Sequence, residues 1–305
     1  MKHWHFICLL GALFGFNSPD AQAQLLGHRL HVVTSFPPLY CFAANIAGNV
    51  ATVDNLLPPG AEPHDFQFSP REMREVQSAD VVVVNGLGLE SWLTHVMNTM
   101  SNPRSVIVAT TGLSEADLIP FAPNLEDPMM TREVSTNFNP HTWLDPQLAE
   151  QAVANILVAM QHVDPANAAA YATNAAAYIT RLQRLDTDMQ HELAPFKDQA
   201  MVTYHDAFPY LARRYGLKIA GVVERVPEVE PSPRYLEALH RAIEKYHVKV
   251  VFGEAQGSQK LVTQIGADYH VTVGQLDTLE TCPLSRDAYE NGMRANLVAL
   301  ETHLK

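Results

Sequence analysis

The 305-residue chain is short of cysteine, with three, and none of them forms a C-x-x-C pair. Any metal site must then be assembled from residues far apart in the chain, which no local spacing announces. Positive charge is also lacking: the formal net charge is -12, which excludes wholesale nucleic-acid binding. Beyond the first residues no segment is apolar enough to cross a bilayer. H-E-x-x-H is absent as well. His191-Glu192 lacks a second histidine and runs into Pro195, so the local signature of a zinc hydrolase is missing. Hydrophobic content of 47% and charged content of 18% belong to a globular protein rather than a disordered one. At this length the chain can bury one large core, or two, and two are expected.

Met1 to Ala23 reads as a signal peptide: Lys2, an apolar run from Phe6 to Phe16, then Ala21-Gln22-Ala23 as a small-residue cleavage site. The run is too short to span a membrane. Cleavage after Ala23 removes one lysine and one aspartate, so the net charge is unchanged. It also removes Cys8 and leaves Cys41 and Cys282. An exported compartment permits these two to pair, and two separate thiols fit the sequence equally well.

Glycine and proline are missing from 166 to 194. Asp164 is placed to cap a helix and Pro165 to open its first turn. Tyr171, Ala175, Tyr178, Leu182, Leu185, Met189 and Leu193 fall at steps of four or three, one apolar stripe. At ~1.5 Å per residue this helix is roughly 40 Å long, a spine between two halves of similar plan. Strands are expected at 30–34, 51–57, 81–84 and 105–109 before it, and at 200–204, 219–224, 248–253 and 271–276 after it. Ser69-Pro70 and Asp145-Pro146 open helices in the first half. Helices 207–215, 233–246 and 258–267 fit between the later strands. The reading is an α/β protein of two lobes, each a four-stranded parallel sheet flanked by helices, joined by one long rigid helix. The divisions are 1–23 signal peptide, 24–163 first lobe, 164–195 linking helix and 196–305 second lobe.

Two such lobes imply a cleft, and ligands of open α/β sheets sit beyond the carboxyl ends of the strands. His64 follows the second strand, His205 the fifth and Asp277 the last. His141, in NPHTWLDP, ends the long loop from about 118 to 140. Two come from each lobe, so a metal held by all four ties the lobes together. Imidazoles with one carboxylate make the tetrahedral N/O set typical of zinc, whereas manganese prefers more oxygen; affinity alone leaves copper open. Singly, each residue has a plainer role: a turn residue for His64, a helix-entry residue for His141, a strand-end polar group for His205, a turn cap for Asp277. His95, His162, His191, His240 and His303 read as solvated.

The chain resembles the metal-specific solute-binding proteins of ABC importers, especially the periplasmic zinc-binding members. The likeness runs through LLPPGAEPHDFQFSP, SADVVVVNGLGLESWL, NPHTWLDP, the Ala-rich spine, YHDAFPYLARRYGL, VVFGEAQ and VGQLDTLE. It implies two four-stranded lobes bridged by a rigid helix, with a metal between them on His64, His141, His205 and Asp277. Manganese-selective members typically carry a glutamate at the third position, so His205 points to zinc. Where some zinc members have a glutamate before the first histidine, this chain has Pro63, with Glu62 a poor substitute. The loop before His141 has Met129-Met130 in place of the His-rich tract of many zinc members. Trp143, Asp145, Asp206 and Glu254 are expected near the cleft, where they can orient imidazole N–H groups. The resemblance implies a periplasmic carrier of Zn2+ that delivers it to a membrane permease of a metal ABC transporter, with no bond chemistry. A monomer is expected, binding no nucleic acid; loading by a metallochaperone is left open. The alternatives are a manganese receptor of the same family, a secreted zinc hydrolase, and an adhesin that binds host surfaces without metal.

Overall fold

In the computed structural model the described residues are 29–64, 66–93, 106–122, 125–126, 138–224 and 230–305. The signal peptide, His95 and Met129-Met130 lie outside them. The first lobe holds β1 (His31–Thr34), α1 (Pro37–Ala47), β2 (Thr52–Asn55), α2 (Pro70–Ser78), β3 (Val81–Val84) and β4 (Val106–Val108). All its strands pair in parallel, in the order β2-β1-β3-β4. The four consecutive valines of β3 are buried on both faces, as a central strand of a covered sheet requires. Ser69 caps α2 in a capping box with Glu72, and Pro70 takes the first helical position.

Helix α3 (Pro146–Val163) follows, capped by the Asp145 carboxylate, which accepts from Gln147 N at 2.9 Å. The second lobe holds β5 (Ala200–Thr203), α5 (Pro209–Tyr215), β6 (Lys218–Val222), α6 (Pro233–Tyr246), β7 (Val250–Gly253), α7 (Gln259–Asp268), β8 (Thr272–Gln275) and α8 (Ala288–His303). Its parallel order, β6-β5-β7-β8, repeats that of the first lobe. Helix α8 is not among the elements expected from the sequence.

Between the lobes runs α4 (Ala168–Leu193), 26 residues and about 39 Å long. It begins three residues later than the sequence suggests, because Pro165–Asn167 forms a tighter 3-10 turn. The Asp164 carboxylate accepts from Asn167 Nδ2 and Tyr171 OH at 2.7 Å rather than from helix N–H groups. All seven stripe residues, Tyr171 through Leu193, are fully buried. They pack against α1, α3 and α8. Phe42 of α1 lies 6.2 Å from Tyr178 of the spine and 5.0 Å from Tyr289 of α8, ring centre to ring centre. Gly48, at φ 55, ends α1 where a side chain would collide with Asn174, whose Nδ2 would lie 2.4 Å from an added Cβ.

Instead of two separate cores, the main apolar cluster is continuous. It joins Val32 and Val81 of the first sheet, through the spine, to Met201 and Phe252 of the second. Smaller clusters cover the outer faces. The spine is therefore embedded in the core along its length, and each lobe is anchored to it by burial.

Candidate metal centre

In each sheet the two central strands, β1 with β3 and β5 with β7, lead to connections on opposite sides, which leaves a crevice at their carboxyl ends. In the first lobe Glu90 fills that crevice. Its carboxylate accepts from Ser35 Oγ and Asn85 N, both at 2.6 Å, and from Gly86 N at 3.1 Å. Asn85 Nδ2 in turn donates to Pro140 O at 2.9 Å, which fixes the residue before His141. In the second lobe the crevice holds His205, just past β5, and Glu254, just past β7.

His64 stands in the connection after β2, where Trp92 Nε1 donates to Pro63 O at 2.8 Å. His141 is buried and precedes a 3-10 turn at Thr142–Leu144. Both its main-chain N and its Nδ1 donate to Asn139 Oδ1, at 3.0 and 2.9 Å. That hydrogen bond puts the proton on Nδ1 and leaves Nε2 a bare lone pair. Glu254 holds His205 by the same two atoms: Oε2 accepts from Nδ1 at 2.5 Å, and Oε1 accepts the main-chain N–H at 3.2 Å.

The three Nε2 atoms converge. His141 Nε2 lies 3.3 Å from His64 Nε2 and 3.2 Å from His205 Nε2. The fourth group is Glu280. Its Oε1 lies 3.0 Å from His64 Nε2 and 3.4 Å from His141 Nε2, and its Oε2 lies 4.0 Å from His205 Nε2. All four donor atoms fall within 4.8 Å of one another.

Asp277, the carboxylate expected here, is not brought to the imidazoles. Its Oδ1 accepts from Leu279 N at 2.7 Å and closes a turn, while Asn296 clasps its main chain on both sides. Leu279 then takes a left-handed φ of 66, which turns the next side chain, that of Glu280, inward. Two acids three residues apart are visible in the sequence; the turn that selects the second is not. Thr278 O accepts the Trp143 indole N–H at 2.8 Å, so the Glu280 loop is fastened beside His141.

Of the other residues expected near the cleft, Glu254 alone hydrogen-bonds an imidazole of the cluster. Asp145 caps α3, and Asp206 Oδ2 accepts from Ala122 N at 2.6 Å. Asn139 was not anticipated, although its place two residues before His141 is the usual one for a side chain that bonds forward onto the main chain. Among the histidines read as solvated, His162 and His191 are exposed, His240 stacks on Tyr269, and His303 packs edge-on against Phe252.

Electrostatics separate the imidazoles. Burial holds His141 down at about 4, with His205 and His64 adding to the effect against the pull of Glu280, so it is neutral at pH 7. Burial also pulls His205 down, but Glu254, Glu280 and Glu62 outweigh it and raise it to about 9. For Glu280 burial acts upward and the imidazoles of His141 and His64 overcome it, holding the carboxyl well below its usual range. Glu62, at the edge of the cluster, is raised to about 7 by burial and by Glu280.

A centre with ligands ~2.0–2.1 Å away in tetrahedral array has ligand–ligand edges of about 3.3–3.4 Å. The separations of His141 Nε2 from the other two Nε2 atoms, and of Glu280 Oε1 from His64 and His141, run from 3.0 to 3.4 Å, and the whole set lies within 4.8 Å. Glu280 Oε1 is buried with no hydrogen-bond donor of its own, and lone pairs aimed at one point call for a cation there. A cavity of about 150 Å³, lined in part by Leu87, Phe121 and Pro140, opens onto the three histidines.

Comparison with known proteins shows the family of the chain. The family described as zinc-uptake complex component A, periplasmic (ZnuA), matches residues 32–303. The high-affinity zinc uptake system protein ZnuA of Bacillus subtilis is 32% identical over 318 residues, covering 99% of this chain and 98% of that protein. The zinc-binding protein AdcA of Streptococcus pyogenes is 30% identical over 89% of the chain, which spans 55% of that relative's length. The solved structure of the SBP FpvC from Pseudomonas aeruginosa in complex with Mn2+ superposes with a TM-score of 0.77 at 29% identity, over 91% of this chain and 98% of that one. The two parallel four-stranded lobes, the long joining helix and the match over nearly the whole chain lead to one conclusion: the protein belongs to the ZnuA family of periplasmic zinc-uptake components.

Proposed function

We propose that the protein captures Zn2+ in the periplasm with high affinity and delivers it to the membrane permease of an ABC importer. The ion is held between the lobes by His64, His141 and His205 through Nε2 and by a Glu280 oxygen. The observation that carries this reading is the convergence of those donor atoms within 4.8 Å of one another, four of their separations running from 3.0 to 3.4 Å, near the edges of a zinc-sized tetrahedron. Three nitrogens and one oxygen suit zinc better than manganese, which favours oxygen-rich sites. No bond chemistry is involved: four protein donors leave a tetrahedral ion no position for a reacting water.

Residues 1–23 direct export and are cleaved off after Ala23, and the carrier works as a monomer. The embedded spine resists wide opening of the lobes, so the ion leaves through small shifts and movements of the ligand loops. Elemental analysis of protein purified without added metal, followed by competitive calorimetry with Zn2+ and Mn2+, tests the proposal. One zinc per chain and a strong preference over manganese are expected; a preference for manganese, or no bound metal in either experiment, refutes it.

A further inference from the structure

Two buried thiols take no part in the metal centre. Cys41 lies on α1, fully buried, with Sγ donating to Ser285 O at 3.1 Å. Cys282 follows Glu280 by two residues, at the end of the turn in which its N–H donates to Leu279 O at 3.2 Å. Its thiol lies against that of Cys41, and both are free in this structure. The segments that carry them are clamped together: Asn45 Nδ2 donates to Arg286 O at 2.7 Å, and the Arg286 guanidinium donates to Gly48 O.

We propose that Cys41 and Cys282 join in a disulfide in the exported protein, tying helix α1 of the first lobe to the Glu280 loop of the second. The Asn45 and Arg286 hydrogen bonds hold the two backbone segments side by side, so the bond joins parts of the chain that already meet. Once residues 1–23 are removed no third cysteine competes, and the periplasm of this family is an oxidising compartment. The oxidant is a disulfide such as oxidised glutathione. In the folding chain, before Cys41 and burial raise the Cys282 thiol, its thiolate attacks the disulfide and releases one glutathione thiolate. Cys41, deprotonated, then displaces the second glutathione from the mixed disulfide. Two protein thiols lose two protons and two electrons, and the glutathione disulfide is reduced to two thiols. The inference rests on export and not on which metal the site takes.

The test uses the chain from residue 24 to 305, refolded in a mixture of oxidised and reduced glutathione, then denatured and treated with a maleimide. Intact mass should show a chain lighter by two hydrogens with no label, and two labels after treatment with dithiothreitol. Reduction should lower Tm by about 5–15 °C, because the bond closes a long loop. In Cys282→Ser one label is expected, with a Tm indifferent to reductant; if that variant does not fold, the wild-type masses decide. Two labels on the refolded protein, a retained glutathione adduct, disulfide-linked dimers, or a Tm unmoved by reduction each overturn the proposal.

Discussion

The Glu254 carboxylate grips His205 twice, accepting its Nδ1–H at 2.5 Å and its main-chain N–H at 3.2 Å. The pair sits where β5 and β7 part, so the sheet itself sets the direction of the Nε2 lone pair. In Glu254→Gln the acceptor remains but the charge is gone. Zinc affinity at pH 8 should fall about 10–100-fold, the usual cost of losing a partner that supports a ligand imidazole. Competition with a chromophoric chelator reads the change, and an affinity within twofold of wild type removes Glu254 from the site.

Protons compete with zinc for His205. With that imidazole raised to about 9, the metal-free protein carries the proton at neutral pH, and binding must expel it. Affinity should therefore rise by about a decade per pH unit towards pH 9 and level off above it. His141, held at about 4, adds a second decade per unit only in acid. Calorimetry at pH 7.5 in buffers of different ionisation enthalpy should show about one proton released per zinc bound; no release contradicts the assignment.

Glu280 and Asp277 make opposite predictions. Glu280→Gln should weaken zinc binding by orders of magnitude, because the one carboxylate among the three imidazoles loses its charge. Asp277→Asn should leave affinity within a few-fold, and its cost should appear in stability, at about 1 kcal/mol for a weakened turn hydrogen bond. If Asp277→Asn abolishes binding while Glu280→Gln does not, the ligand assignment is reversed.

Leu182 is fully buried at the middle of the spine stripe. Leu182→Ala should cost about 2–5 kcal/mol through lost burial and a cavity. Denaturant unfolding should show one transition displaced for both lobes together, since the core runs through the spine. Separate transitions for the two lobes would contradict a shared core.

Periodicity made the fold legible where burial was one-sided or complete. The spine stripe, the β3 valines and the caps at Ser69 and Asp145 each follow from local residue chemistry, and each stands where that chemistry puts it. Parallel strands fed by helices left few alternatives for the sheets. His64 and His205 were legible through their address beyond strand ends and His141 through its place at the end of the long loop, and the structure brings their Nε2 atoms together. Glu280 was not legible, because the choice between two acids depends on the handedness of Leu279, a tertiary outcome with no sequence period. Asn139 and the continuity of the core were hidden for a related reason: both arise only when segments distant in the chain meet.

His64 and His141 belong to the first lobe, His205 and Glu280 to the second, so neither half owns a complete set of donors. An ion bound by all four would therefore bridge the halves, and its loss would free the loops on both sides of the cleft.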